Sequence, residues 1–113
     1  MRYMMLVNND SEAIAAAPYE ELKVEWAAFT EALEKAGGVP GLRLKPVSAA
    51  TTVRVRDGRT DVLDGPYIEA REQLGGYFII DVESLDDAIA WAQRCPSSKY
   101  GSIEIRPLFE HQN

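Results

Sequence analysis

The chain opens on an apolar run, Tyr3-Met4-Met5-Leu6-Val7, that turns polar at Asn8-Asn9-Asp10, a bounded profile that predicts a first strand. The compositionally simple stretch from Ala13 to Ala17 leads toward a helix. Pro18 suits the first helical position, and Glu20 and Glu21 suit the positive end of a helix dipole. Leu22, Trp26, Phe29, Leu33 and Ala36 then recur at spacings of four and three, with Lys23, Glu25, Glu31, Glu34 and Lys35 mostly off that stripe. Gly37-Gly38 supplies the stop. A short extended piece is expected over residues 41–45. Val53 and Val55 alternate with Thr52, Arg54 and Arg56, and Asp57-Gly58 provides a hairpin turn into a partner strand over residues 60–63. Tyr77-Phe78-Ile79-Ile80-Asp81-Val82 is a nearly continuous apolar strand. Ser84 then caps a helix whose Leu85, Ala88, Ile89 and Ala92 share a face, with Asp86 and Asp87 at its start. Pro96 stops that helix, and Ile103 and Ile105 alternate with Ser102, Glu104 and Arg106 in a last strand before Pro107.

The order is strand, helix, strand, hairpin, strand, helix, strand. It matches a split βαβ arrangement, the ferredoxin-like α+β fold, with a hairpin inserted before the second half. Right-handed crossovers place both helices on one face of the sheet. Yet the first strand and the strand from Tyr77 are apolar at odd and even positions alike, so the other face also needs a cover. With two helices available, the simplest cover is a second copy of the same sheet. A homodimer with a small-molecule pocket between the two sheets is therefore expected.

Composition narrows the partners. The 113 residues fit one domain, 1–113, which buries roughly two-thirds of its unfolded surface. Twelve basic against eighteen acidic residues give a net charge of −6, which repels phosphate backbones and anionic membrane surfaces, so neither nucleic acid nor membrane is expected as a partner. The apolar start is too short for a signal peptide or a membrane span, and the lone Cys95 fits a reducing, cytoplasmic setting. One histidine and one cysteine do not make a zinc set, so no metal is assigned. Gly75-Gly76 precedes a strand and lacks phosphate-loop spacing, so no nucleotide or other cofactor is assigned either.

The densest chemistry lies between Asp64 and Phe78. Gly65-Pro66 sets a turn and Gly75-Gly76 permits close backbone approach, bracketing a charged segment. Asp64 is either a turn-forming acceptor, which lowers its pKa, or a desolvated general base, which raises it. Glu69, Arg71 and Glu72 are either a solvated charge cluster or part of a loop over a pocket mouth. In the second case Arg71 would clamp a carboxylate or phenolate, and Glu69 or Glu72 would move a proton. Tyr67 and Tyr77 are core or interface aromatics, or walls of a ligand site.

Asp64-Gly65-Pro66-Tyr67, followed by Glu69 and Arg71-Glu72-Gln73-Leu74-Gly75-Gly76-Tyr77, resembles the signature of the YCII-related proteins of the DGPF type. Phenylalanine usually stands there in place of Tyr67, and lysine often in place of Arg71. The similarity extends to Arg2-Tyr3-Met4, Thr51-Thr52-Val53-Arg54, Cys95-Pro96 and the segment from Tyr100 to Pro107. The resemblance implies a ferredoxin-like protomer pairing into a dimeric α/β barrel. Some members of the wider group are thought to pair a first-helix histidine with an aspartate for acid/base work, and one resembles a dehydrochlorinase acting on a chlorinated hydroquinone. This chain has no histidine between Pro18 and Gly37; its only one is His111, and Trp26 offers an aromatic on the helix instead. Genes for DGPF-type proteins often lie beside extracytoplasmic-function sigma factors, which implies a regulatory link. Two functions follow: a small-molecule-binding, regulatory module, or a cofactor-independent acid/base enzyme using Asp64, Glu69 and Glu72.

Overall fold

The computed structural model describes residues 1–66 and 70–110. Its strands are β1 (Arg2–Asp10), β2 (Val39–Arg43), β3 (Thr51–Arg56), β4 (Arg59–Asp64), β5 (Glu72–Asp81) and β6 (Gly101–Pro107). Its helices are α1 (Ser11–Ala15), α2 (Tyr19–Lys35) and α3 (Leu85–Arg94). The main sheet runs β2-β5-β1-β6, with all three pairings antiparallel, and β3-β4 form a separate two-stranded sheet. This is the ferredoxin-like α+β order with an inserted hairpin, as the hydrophobic pattern indicates.

Three local features depart from the sequence pattern. The strand expected over residues 41–45 forms two residues earlier, at Val39–Arg43. The central strand begins at Glu72 rather than Tyr77, because the polar end of β1 continues pairing: Asn8 faces Leu74, Asn9 faces Gln73 and Asp10 faces Glu72. The second half of the signature segment is thus strand, not loop. The stretch before Pro18 forms its own short helix, α1. The Asp10 carboxylate caps it by accepting from the Glu12 and Ala13 backbone N–H groups at 3.0 and 3.2 Å.

The core lies between the sheet and the two long helices. Tyr3, Met5 and Val7 of β1 and Phe78 and Ile80 of β5 all point to that side, and all are buried against Phe29 and Leu33 of α2 and Ala88 and Ala92 of α3. Phe29 is the hub: its ring meets Phe78, Trp26 and Trp91 edge-on at centroid distances of 5.3, 5.7 and 5.9 Å. Such pairs contribute about 0.5–1.5 kcal/mol each beyond the area they bury. On the opposite face Met4 lies beside Ile79 and Leu6 beside Tyr77, all four only half-buried. The β3-β4 hairpin also stands apart, with the cross-strand pair Val53 and Val62 at 60% and 65% exposure. The radius of gyration is accordingly 16.0 Å, where a compact domain of this length has roughly 13 Å.

Candidate functional site

A cavity of about 580 Å³ lies between α2 and the main sheet, on the helix-covered side, and is also bordered by α1 and β2. The apolar stripe of α2 supplies Leu22, Trp26 and Phe29, and the sheet supplies Val7 and Phe78. The polar residues that border the cavity are few: Asn9 from β1, Lys23 and Thr30 from α2, Arg43 from β2 and Ser97 after α3, with Tyr19 and Tyr77. Among the described residues no Asp or Glu borders it.

Asn9 reaches this wall by strand alternation, since Tyr3, Met5, Val7 and Asn9 fall on the same side of β1. Gly75 makes room for it. The β1-β5 register steps from Val7 opposite Gly76 to Asn8 opposite Leu74, so Gly75 is the extra residue of a β-bulge. Its carbonyl turns to the neighbouring strand and accepts the Leu44 backbone N–H at 2.9 Å. A Cβ on Gly75 would stand 2.5 Å from Asn9 Nδ2, a separation no side chain tolerates without movement. A side chain at Gly75 would push the Asn9 carboxamide from the place it occupies. Asn9 Oδ1 is buried and accepts no hydrogen bond among the described residues. An unmade hydrogen bond of this kind costs about 1–3 kcal/mol.

Arg43 sits opposite Gly76, which in turn sits opposite Val7, so these three residues form a row across the sheet that faces the cavity. Lys23 lies one turn after Tyr19, its ammonium 6.0 Å from the ring centroid. Among the described residues the wall thus carries two cations and no carboxylate, although the chain as a whole has a net charge of −6.

The residues singled out in the sequence do not converge on this cavity. Asp64 ends β4 and borders a second cavity, about 450 Å³, with Ser11, Ser48, Gly65, Pro66 and Gln73. The turn after it is held by main chain: Gly65 N–H donates to Ala50 O at 2.7 Å, and the Thr52 hydroxyl donates to Gly65 O at 2.8 Å. Gly65 takes φ +101°, which a side chain would strain.

Arg71 and Glu72 lie at the polar end of β1. Arg71 Nε donates to Asp10 Oδ2 at 2.6 Å, and the Ser102 hydroxyl donates to Glu72 Oε1 at 2.5 Å. The Arg71 hydrogen bond, followed by the Ala13 N–H, holds the Asp10 carboxyl below its usual range, and Arg71 is held above its own by the same contact. Of the four described candidates only Tyr77 borders the larger cavity, its ring lying against Gly41. Tyr67 and Glu69 fall outside the described residues, as does His111. Cys95 is buried, and desolvation pushes its thiol up to about 11, so it is protonated at neutral pH.

Sequence reasoning missed Asn9 and Arg43 as site residues. The signal for Asn9 was available, an amide in phase with the buried positions of an apolar strand. Arg43 carried none, because its facing depends on the irregular pairing of β2 between Pro40 and Arg43. Among the described residues no three His, Cys, Asp or Glu side chains cluster as a metal site, and no helix is long and apolar enough to cross a membrane.

The fold and the helix-side cavity define an α+β protein of ferredoxin-like topology with a small-molecule-sized hollow against its sheet. The YCII-related domain matches residues 1–112, and the chain belongs to that family. It is similar to an uncharacterised protein of Rhizobium meliloti (strain 1021), 38% identical over 114 residues that cover 96% of this chain and 92% of the relative.

Proposed function

We propose that the protein binds a small, largely apolar molecule in the cavity between α2 and the main sheet. The observation that carries this reading is the hollow of about 580 Å³ itself, bordered by Val7, Leu22, Trp26, Phe29 and Phe78 with a few polar residues among them. Ligand sites of roughly 300–1,000 Å³ typically combine apolar walls with a few placed polar groups. The sequence led to a pocket between two sheets; this cavity lies on the other side of the sheet and is bounded within one protomer. Among the described residues its wall has no carboxylate, which favours binding over acid/base chemistry by Asp64 or Glu72.

Pairing of two copies through the open sheet face belongs to the same reading. It is supported by the half-exposed Met4, Leu6, Tyr77 and Ile79. A ligand-binding dimer is also compatible with the regulatory link to a sigma factor that the resemblance implies.

The test is a thermal-shift screen with neutral apolar probes such as methylnaphthalene, on the wild type and on Thr30→Phe, which fills the cavity from α2. A ligand at a hundred times its Kd stabilises by about 2.7 kcal/mol, equivalent to roughly 10 °C in Tm. Thr30→Phe is expected to abolish the shift. Binding that persists unchanged in Thr30→Phe, or no binding by any apolar probe, would overturn the proposal.

A further inference from the structure

Resting on that reading of the cavity, we infer that α1 is its lid and that Arg71 of the signature segment is the latch. Ligand enters and leaves when α1 swings away from the cavity, and Arg71 limits that opening by holding the Asp10 carboxylate on the helix.

Ile14, Ala15 and Ala17 border the cavity, so the strap over residues 11–17 forms part of its wall. It is the most weakly held part. No residue from Ser11 to Leu22 is buried. The helix has 5 residues, far fewer than the roughly 12–15 that a helix needs to hold together unaided in water. Further along, α2 is anchored by its buried Phe29 and Leu33. β2 buries no residue either, yet strand pairing pins it to β5, as does the Leu44 N–H on Gly75 O at 2.9 Å. Among the described residues, no hydrogen bond or ion pair ties residues 11–17 to another element except through Asp10. A segment held this way opens locally at a fraction of the cost of global unfolding.

Both ends of the strap are fixed, which makes it a hinged flap. Asp10 stays in the sheet, where it pairs with Glu72 and its backbone N–H donates to Tyr100 O at 2.8 Å. Pro18 begins α2 and has no N–H with which to continue the α1 ladder, so the two helices cannot merge into one rigid rod. The Asp10 carboxylate divides its oxygens between flap and latch. Oδ1 accepts the Glu12 and Ala13 N–H groups of α1, and Oδ2 accepts Arg71 Nε at 2.6 Å. Arg71 thereby keeps the carboxylate in an orientation that caps α1. Without it the side chain rotates, the cap is made for less of the time, and the flap opens more often. Arg71 is thus a positioning residue: it acts on the larger cavity through Asp10, without bordering it.

Hydrogen exchange of the full chain tests the flap without any ligand. The Ala16 and Ala17 N–H groups, which donate to Glu12 O and Ile14 O at 3.1 and 3.2 Å, are expected to exchange roughly 100-fold faster than those of Phe29 and Leu33. Arg71→Gln should speed the Ala16 and Ala17 exchange about 3-fold, the scale of an exposed ion pair, and Arg71→Lys should restore most of it. Asp10→Ala removes cap and latch together and should speed it about 10-fold. Stopped-flow mixing with methylnaphthalene, followed by the emission of Trp26 on the cavity wall, tests the gate. Arg71→Gln should raise the association and dissociation rates by one common factor, about 3-fold, and leave Kd unchanged, because a flap that stays mostly closed sets rates and not affinity. A residue that merely shaped the cavity would change Kd instead. Ala16 and Ala17 exchanging as slowly as Phe29, or Arg71→Gln altering Kd alone or neither rate, would overturn the lid while the cavity remains a binding site. No binding of methylnaphthalene to the wild type would overturn both.

Discussion

The two faces of the four-stranded sheet are made by the same strands and have opposite fates. On the helix side Tyr3, Met5, Val7, Phe78 and Ile80 are each no more than 5% exposed. On the other side their immediate neighbours Met4, Leu6, Tyr77 and Ile79 remain half-exposed, with Val39 and Leu74 more exposed still. Alternation guarantees that a run such as Tyr3-Met4-Met5-Leu6-Val7 divides its apolar side chains between two faces. The helices α2 and α3 cover one. The comparison teaches that a doubly apolar strand reports a need for two covers, whereas one protomer holds only one of them.

Breaking the covered face should have the largest effect. Met5 is fully buried, and Met5→Ala is expected to cost about 2–5 kcal/mol in urea unfolding, through lost burial and the cavity left behind. The matched change on the open face, Leu6→Ala, should cost under about 1 kcal/mol in an isolated protomer. If a second copy covers that face, the Leu6→Ala cost rises toward that of Met5→Ala and depends on protein concentration.

A charge on the open face sharpens the comparison directly. Ile79→Glu faces Met4 across the β1-β5 register and Val39 across the β2-β5 register. It is expected to convert a dimer to a folded monomer in sedimentation at micromolar concentration, with far-UV circular dichroism unchanged. A wild type that already sediments as a monomer would show that the open face is simply solvated.

The smallest expected effect lies at the edge of the sheet, where Asp10 joins β1 to α1. Its side chain is 14% exposed and that of Arg71 82%. The folded state lowers the Asp10 pKa, chiefly through Arg71, so the charged form is favoured on folding. Its contribution is full above the unfolded carboxyl value near ~3.9 and is lost as pH falls through the lower folded value. Asp10→Asn keeps a capping oxygen and removes the ion pair. Stability of the two proteins by urea unfolding should therefore differ slightly at pH 7, and the gap should shrink below about pH 3. A gap that widens on acidification would show that the pair does not lower the Asp10 pKa.

Much of the fold was legible because its signals are local. The α2 stripe, the Gly37-Gly38 stop, the Asp57-Gly58 turn and the Ser84 cap each act within a few residues, and each is where the pattern put it. The start of β5 was not legible, since Glu72 and Gln73 are strand only by virtue of pairing with Asp10 and Asn9. The site was harder still. The signature segment drew attention to Asp64, Arg71 and Glu72 because charges and turn formers are dense there. Yet Arg71 meets Asp10, Glu72 meets Ser102, and Asp64 borders a different cavity. What that segment contributes to the larger cavity is mainly Gly75, whose missing Cβ admits Asn9, and Tyr77 on its wall.

The sequence by itself determined the element order, the buried face of α2, the absence of a cysteine pair and the family to which the chain belongs, whereas α3 turns Ala88 and Ala92 inward with Trp91 and leaves Leu85 and Ile89 of its expected face exposed. These follow from periodicity, turn chemistry and composition, which a single strand of residues carries. The tertiary structure decided where the hollow lies, and that Asn9, Lys23 and Arg43 border it. Those facts arise from a bulge, a cross-strand register and a helix packed over a sheet. They bring Asn9, Lys23 and Arg43 together from three separate elements, and no local spacing encodes that meeting.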